Sequence, residues 1–252
     1  MLAAHGSHLN PNTAAPCYAA ADAIRRRKLF AEVQESFWKQ EPSFRLVLPM
    51  IESREVFVVP FFISDGYFTE TVLPRELGVT QATSRLGGKI VHYGQPVGTH
   101  DSMTRVILHR ADEIVQADGA NPPRNGSAAL FIAGHGTDKN ENSAKSILRQ
   151  VELIRERGRY AEVHAVFLDQ EPRIERCFEL SRCHNLIVVP FFISDGLHTQ
   201  EDIPAMLGLQ KRGAGYRAPS RVRGRSVYYC GAVGTDARMA EVVIARAEQA
   251  AN

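Results

Sequence analysis

The sequence predicts an α/β fold built from two tandem, similar domains, each a small parallel sheet with helices on both faces. Three observations predict it. The chain repeats itself at a fixed offset, each copy alternates strand-like and helical patterning, and the longest apolar runs are β-branched and strand-length.

The repeat is the firmest of the three. Phe30-Ala31-Glu32-Val33 returns as Tyr160-Ala161-Glu162-Val163, Gln40-Glu41-Pro42 as Gln170-Glu171-Pro172, and residues 58–66 as residues 188–196, always 130 positions on. Over residues 30–79 and their partners, 20 of the 50 pairs are identical, which chance does not supply. His5-Gly6-Ser7 maps to His135-Gly136-Thr137 at the same offset, whereas Val97-Gly98-Thr99 maps to Val233-Gly234-Thr235 at 136, so the second copy carries six extra residues between Leu209 and Arg225. The domains are therefore placed at 1–118 and 128–252. Gly119, Pro122, Pro123 and Gly126 break helix and strand in a linker over 117–127.

Within the second copy the elements follow in order. Residues 130–134 are a short apolar run, and 143–157 carry Ile147, Leu148, Val151 and Ile154 at helical spacing. Residues 163–168 read as a strand, and 173–182 as a helix with Pro172 near its first turn. Residues 186–193 form a continuous β-branched and aromatic run, the pattern of a strand buried on both faces of a parallel sheet. Residues 226–230 make a fourth strand, and Asp236 can cap a last helix reaching Ala250.

Composition excludes several classes. With 44% hydrophobic and 23% charged residues the 252-residue chain is an ordinary globular protein. Its apolar runs are far too short to span a bilayer, and the opening Met1-Leu2-Ala3-Ala4-His5-Gly6 lacks a basic segment followed by an apolar one. A soluble, cytoplasmic protein without a membrane partner is expected. A net charge of +2 gives no argument for nucleic acid. Cys17, Cys177, Cys183 and Cys230 show no metal-type spacing and read as buried or free thiols.

Ligands of open parallel sheets bind beyond the carboxyl ends of the strands. In the second copy those ends are Gly134-His135-Gly136-Thr137, Asp169-Gln170-Glu171-Pro172, and Ser194-Asp195-Gly196-Leu197-His198. One edge thus gathers two imidazoles and several carboxylates, a donor set suited to a divalent transition metal. The first copy keeps His5 and Glu41, but has Phe68 in place of His198 and Lys39 in place of Asp169. A phenyl ring cannot ligate a metal and an ammonium repels one, so the first copy is expected to be a degenerate partner. Alternation along the third strand sends one of Phe191 and Phe192 to the core and leaves the other, with Ser194, to face a substrate. The basic, glycine-containing stretch 210–225 is expected to be a loop after that strand, with Arg217 and Arg221 able to grip carboxylates in bidentate fashion.

These motifs, above all the run from Val189-Pro190-Phe191-Phe192 through His198 to Asp202-Ile203-Pro204, resemble the class II tetrapyrrole chelatases of the sirohydrochlorin cobaltochelatase and ferrochelatase type. The resemblance implies two α/β domains around a cleft, and a lyase that inserts Co2+, Fe2+ or Ni2+ into sirohydrochlorin or a related tetrapyrrole without ATP, in cobalamin or siroheme biosynthesis. It implies no cofactor beyond the substrate metal. His135 would be proton acceptor and metal ligand, His198 the other ligand, and either Asp169 or Glu171 the assisting acid. The chemistry suits these residues: two pyrrole protons must leave as the metal enters, and a neutral imidazole can hold an ion or take a proton. A non-catalytic metal or tetrapyrrole carrier is the competing reading. Ser194, Asp195 and His198 suggest a hydrolase triad, but no G-x-S-x-G elbow surrounds Ser194, and no G-x-x-x-x-G-K phosphate loop occurs.

Overall fold

The computed structural model describes residues 1–8, 10–117, 126–136, 142–212 and 215–251. Most of the expected linker, and Thr137 and Gly213, lie outside them. The first copy runs β1 (Leu2–Ala4), α1 (Ala15–Arg27), β2 (Glu35–Phe37), α2 (Phe44–Met50), β3 (Glu55–Pro60), α3 (Leu73–Leu77), β4 (Thr83–Leu86), β5 (Lys89–Tyr93) and α4 (Met103–Ala117). The second runs β6 (Ala128–Gly134), α5 (Asn142–Glu156), β7 (Glu162–Phe167), α6 (Cys177–Leu180), β8 (Asn185–Pro190), α7 (Ile203–Met206), β9 (Lys211–Arg212), β10 (Gly215–Tyr216), β11 (Ser220–Val222), β12 (Arg225–Tyr229) and α8 (Met239–Ala251).

Two five-stranded sheets result, ordered β2-β1-β3-β5-β4 and β7-β6-β8-β12-β11, the same topology twice. Four strands of each are parallel, and the edge strands β4 and β11 return antiparallel. The interior position of β6, between β7 and β8, explains its composition: all seven residues of Ala-Ala-Leu-Phe-Ile-Ala-Gly are buried, as a strand covered on both faces must be. Around it Phe131, Val166, Ile174, Leu186, Val188, Ile203 and Val227 close one core. Ala3, Phe44, Val58, Leu73 and Val91 close the corresponding core of the first sheet.

The repeats are not the packing units. One compact unit comprises Met1–Met103 with Thr235–Asn252, the other Thr104–Gly234. The last helix of the chain therefore closes the first unit, while α4, which ends the first copy, belongs to the second. Helix α8 packs on α1, β3 and β5. It carries Arg246 into that unit, where the buried guanidinium donates to the Pro96 carbonyl (3.0 Å), Gln95 Oε1 (3.3 Å), Gln249 Oε1 (2.5 Å) and Thr99 Oγ1. Burial pulls its pKa down to about 10.

The stretch 210–225 also departs from the expected loop. It forms β9 and β10, an antiparallel pair, and then β11, which pairs with β12. The β11–β12 pair is the counterpart of β4–β5, so the extra residues are the β9–β10 hairpin. All four cysteines are free thiols. No helix among the described residues is long and apolar enough to cross a membrane.

Candidate metal centre

Strand β6 delivers His135. Its chain turns sharply after Gly134: Leu168 N–H donates to the carbonyls of Gly134 and His135 (both 3.0 Å), and Asp169 N–H to His135 O (2.9 Å), which lashes the turn to the end of β7. Gly136 has φ +67°, and a Cβ there would meet Gln170 Cγ at 2.6 Å, so only glycine fits after the histidine. The His135 ring stays accessible, its side chain 48% exposed. Its Nδ1 lies 2.9 Å from the Gly136 carbonyl and 3.1 Å from Asp169 Oδ2.

Strand β8 delivers His198 through a π-helical turn, His198–Asp202. Such a turn holds one residue more per cycle than an α-helix and occurs often at functional sites. Thr199 is buried beneath it, its hydroxyl accepting from Gly196 N–H (2.9 Å) and donating to Gly196 O (3.2 Å). The i,i+4 partner Asp202 places Oδ2 2.7 Å from His198 Nδ1. From below, the Tyr229 hydroxyl donates to the Thr199 carbonyl (2.6 Å). Burial pushes the Tyr229 phenol well above its usual pKa, so it remains a donor.

The two rings meet edge to face, centroids 5.0 Å apart and planes at 88°. Each Nδ1 faces only acceptors, a carbonyl or a carboxylate, so it carries the proton and leaves the Nε2 lone pair unused. An ion held about 2.0–2.1 Å from two imidazole nitrogens at a tetrahedral angle sets ring centroids about 5 Å apart. The centroid spacing of the two rings is of that size. Carboxylates behind both rings complete the usual outer shell of a histidine metal site, fixing tautomer and orientation.

Other predicted site residues fall differently. Asp169 lies beside His135, but Glu171 is turned away: its Oε2 accepts from Arg173 N–H (3.2 Å) and lies 3.6 Å from Arg176. Glu41 does the same for Ser43 N–H (2.8 Å), so the shared glutamate braces the chain after Pro172 and Pro42 alike. Phe191 is buried, 2% exposed, its N–H bonded to Ala133 O, and cannot face a substrate. Phe192 is half-buried and tilts against His198 at 6.1 Å. Ser194 is partly exposed at the same strand end.

Arg217 is exposed and adjoins Tyr216, whose hydroxyl donates to Gln200 O in the π turn. Arg221 is misplaced by the expectation. It pairs with Ser226, which pairs with Asn185 at the amino end of β8, and its Nη1 lies 2.7 Å from His184 Nε2. That is a full strand length, roughly 16 Å, from the edge bearing the histidines. Sequence reasoning overlooked Asp202 as a partner, although its i,i+4 spacing from His198 was visible.

The first unit shows the same backbone with other side chains. His5 Nδ1 lies 2.8 Å from Gly6 O, but its ring meets Phe68 at 5.1 Å, and Phe68 packs on Trp38 and Phe62. Lys39 stands over the Trp38 ring.

This is the fold of the chelatases. A chelatase-like, multi-domain protein from Deinococcus radiodurans superposes with TM-score 0.81 at 29% identity over 98% of this chain, which spans about half the length of that protein (54%). SirB from Bacillus subtilis with Fe3+ superposes at 0.77, 18% identical over 99% of this chain and 94% of its own. A probable sirohydrochlorin cobaltochelatase of Halobacterium salinarum is 45% identical over 99% of this chain and 90% of its own. The family model described as CbiX matches residues 1–114 and again 129–250. The chain belongs to the CbiX family, as a tandem of two copies of its domain.

Proposed function

We propose that this protein inserts a divalent metal, Co2+ or Fe2+, into sirohydrochlorin without nucleotide, with His135 and His198 as its ligands. The observation that carries the proposal is the facing imidazole pair: two Nε2 lone pairs at one open strand edge, each ring held from behind by an acceptor. A name such as probable sirohydrochlorin cobaltochelatase, borne by a relative 45% identical, supports cobalt. The solved structures of SirB with Fe3+ and in complex with cobalt attach both metals to this fold, and imidazole suits either.

The reaction exchanges one M2+ for two pyrrole protons, so the protein must hold the ion while bases accept the protons. His198, oriented by Asp202, serves as the fixed ligand. His135, with a carboxylate beside it, holds the ion through Nε2; once the metal has passed to the macrocycle, that freed nitrogen accepts one of the two protons and the other leaves to water. Asp169 steadies the imidazolium that forms and passes the proton on. Asp169, rather than Glu171, is the assisting acid. Phe192 offers an apolar surface for the macrocycle, Ser194 a polar contact at its rim, and Arg217 a guanidinium for its carboxylates.

The test is an anaerobic absorbance assay with sirohydrochlorin and Co2+ or Fe2+, at substoichiometric protein. Many turnovers per chain are expected. Binding of metal or tetrapyrrole that stops at one equivalent, with no accumulation of metallated product, would instead establish a carrier.

A further inference from the structure

The hairpin that the second copy has gained reaches the turn bearing His198, and a proline explains why that matters. Pro204 has no N–H, so it cannot serve the carbonyls four and five residues earlier, Gln200 and Thr199. Those are the carbonyls of the π turn, and two tyrosine hydroxyls meet them instead. Tyr229 donates to Thr199 O and Tyr216 to Gln200 O, both at 2.6 Å. The two rings pack edge to face at 5.9 Å and lie against the core of their unit.

In the first unit Pro74 creates the same deficit, for Thr69 and Glu70. Tyr93 donates to Thr69 O at 2.6 Å, the counterpart of Tyr229. Residues 79–92 contain no tyrosine to match Tyr216. A cavity of about 410 Å3 lies there, lined by Thr69, Glu70, Pro74, Gln81, Tyr93 and Gln95. The half that lacks the hairpin bears Phe68 on its turn; the half that has it bears His198.

We infer that the β9–β10 hairpin is a positioning device for the metal centre, in which the Tyr216 hydroxyl, by holding the Gln200 carbonyl, fixes the π turn that aims His198. Tyr216 touches neither metal nor macrocycle. It sets how well His198 is placed before the ion arrives, so its loss falls on metal affinity and not on recognition of the tetrapyrrole. The inference rests on His198 being a metal ligand, as proposed above.

The test is Tyr216→Phe, which removes one oxygen and keeps the ring that fills the space. Co2+ binding is measured without tetrapyrrole, by titration and by the visible absorption of the bound ion, with His198→Ala as reference. Tyr216→Phe is expected to weaken Co2+ binding about tenfold, the lower end of what outer partners of ligands contribute. It should change the cobalt band and raise the Michaelis constant for metal, leaving that for sirohydrochlorin and the thermal midpoint close to wild type. Should Tyr216→Phe bind Co2+ as wild type does while His198→Ala does not, the positioning role is overturned and the ligand assignment stands. If His198→Ala also binds normally, the ligand assignment itself fails. A Tyr216→Phe protein that weakens metal and tetrapyrrole equally, with a lowered thermal midpoint, would reduce the hairpin to general structural support and overturn the inference as well.

Discussion

At the ends of β1 and β6 the backbone makes the same move. His5 and His135 each follow a buried strand and set Nδ1 against the carbonyl of the next glycine, at 2.8 and 2.9 Å. Each ring then meets an aromatic group from a π turn at nearly the same distance, 5.1 and 5.0 Å. In one unit that group is Phe68, with buried Val72 four residues on, and in the other it is His198, with its hydrogen-bond partner Asp202 four residues on. The comparison separates scaffold from chemistry. What the repeat preserves is the placement of two rings. The units differ there in a few side chains, at 39 and 169, 68 and 198, and 72 and 202, which leave an aromatic cluster in the first and the proposed metal site in the second.

The largest effect should come from making the second unit resemble the first. His198→Phe is expected to cost at least about a hundredfold in metal insertion, beyond the range for losing only an outer partner, and His135→Ala the same. Both rings are nearly half exposed, so circular dichroism and thermal midpoint should be unchanged. Turnover near wild type in either variant would end the equivalence of ring placement with function.

Next come the acids behind the rings. Asp202→Asn and Asp169→Asn should each lower metal affinity or rate by about ten- to a hundredfold. Glu171→Gln should leave turnover alone and cost under about 1 kcal/mol of stability, as befits an exposed brace. A rate loss at Glu171 with none at Asp169, read by steady-state kinetics, would reverse the assignment.

A smaller gain is expected from the converse change. Phe68→His with Lys39→Asp rebuilds the pair in the first unit, since His5 already waits 5.1 Å away. Calorimetric titration should find a second, weaker Co2+ per chain. An unchanged stoichiometry would show that more than these side chains was lost.

Smallest is the effect at the basic stretch. Arg217→Gln should raise the Michaelis constant for sirohydrochlorin about 1.5- to 5-fold at low salt, an exposed ion pair's worth, and less as salt rises. Arg221→Gln, at the far end of the sheet, should do nothing to it.

The repeat, the parallel strands and both histidines were legible because they rest on local pattern: a fixed offset, continuous apolar runs, and imidazoles at strand ends. Phe191 and Phe192 followed from alternation, one buried and one beside His198. The helix exchange was not legible, since the apolar stripe of α4 or α8 records that a sheet must cover it and not which sheet. Arg221 misled because closeness in sequence to His198 says nothing once the hairpin turns back. Antiparallel pairing carried it to the amino end of β8. Glycines and charges in 210–225 read as loop, whereas β9 pairs with β10, and the tertiary partner of Tyr216, the Gln200 carbonyl, lies outside any local window.

The exchanged helix sets an order on the birth of the molecule. Strands β1 to β5 leave the ribosome early, yet the helix that covers them begins at Met239, roughly 7 to 30 seconds of synthesis later at ~5–20 residues per second. The other unit spans Thr104–Gly234, so all of its residues are synthesised before Met239. For that interval the nascent first unit shows an uncovered apolar face where α8 will lie, a natural target for a chaperone. A premature stop before Met239 would then spare the half that bears the histidines and unmake the half synthesised first.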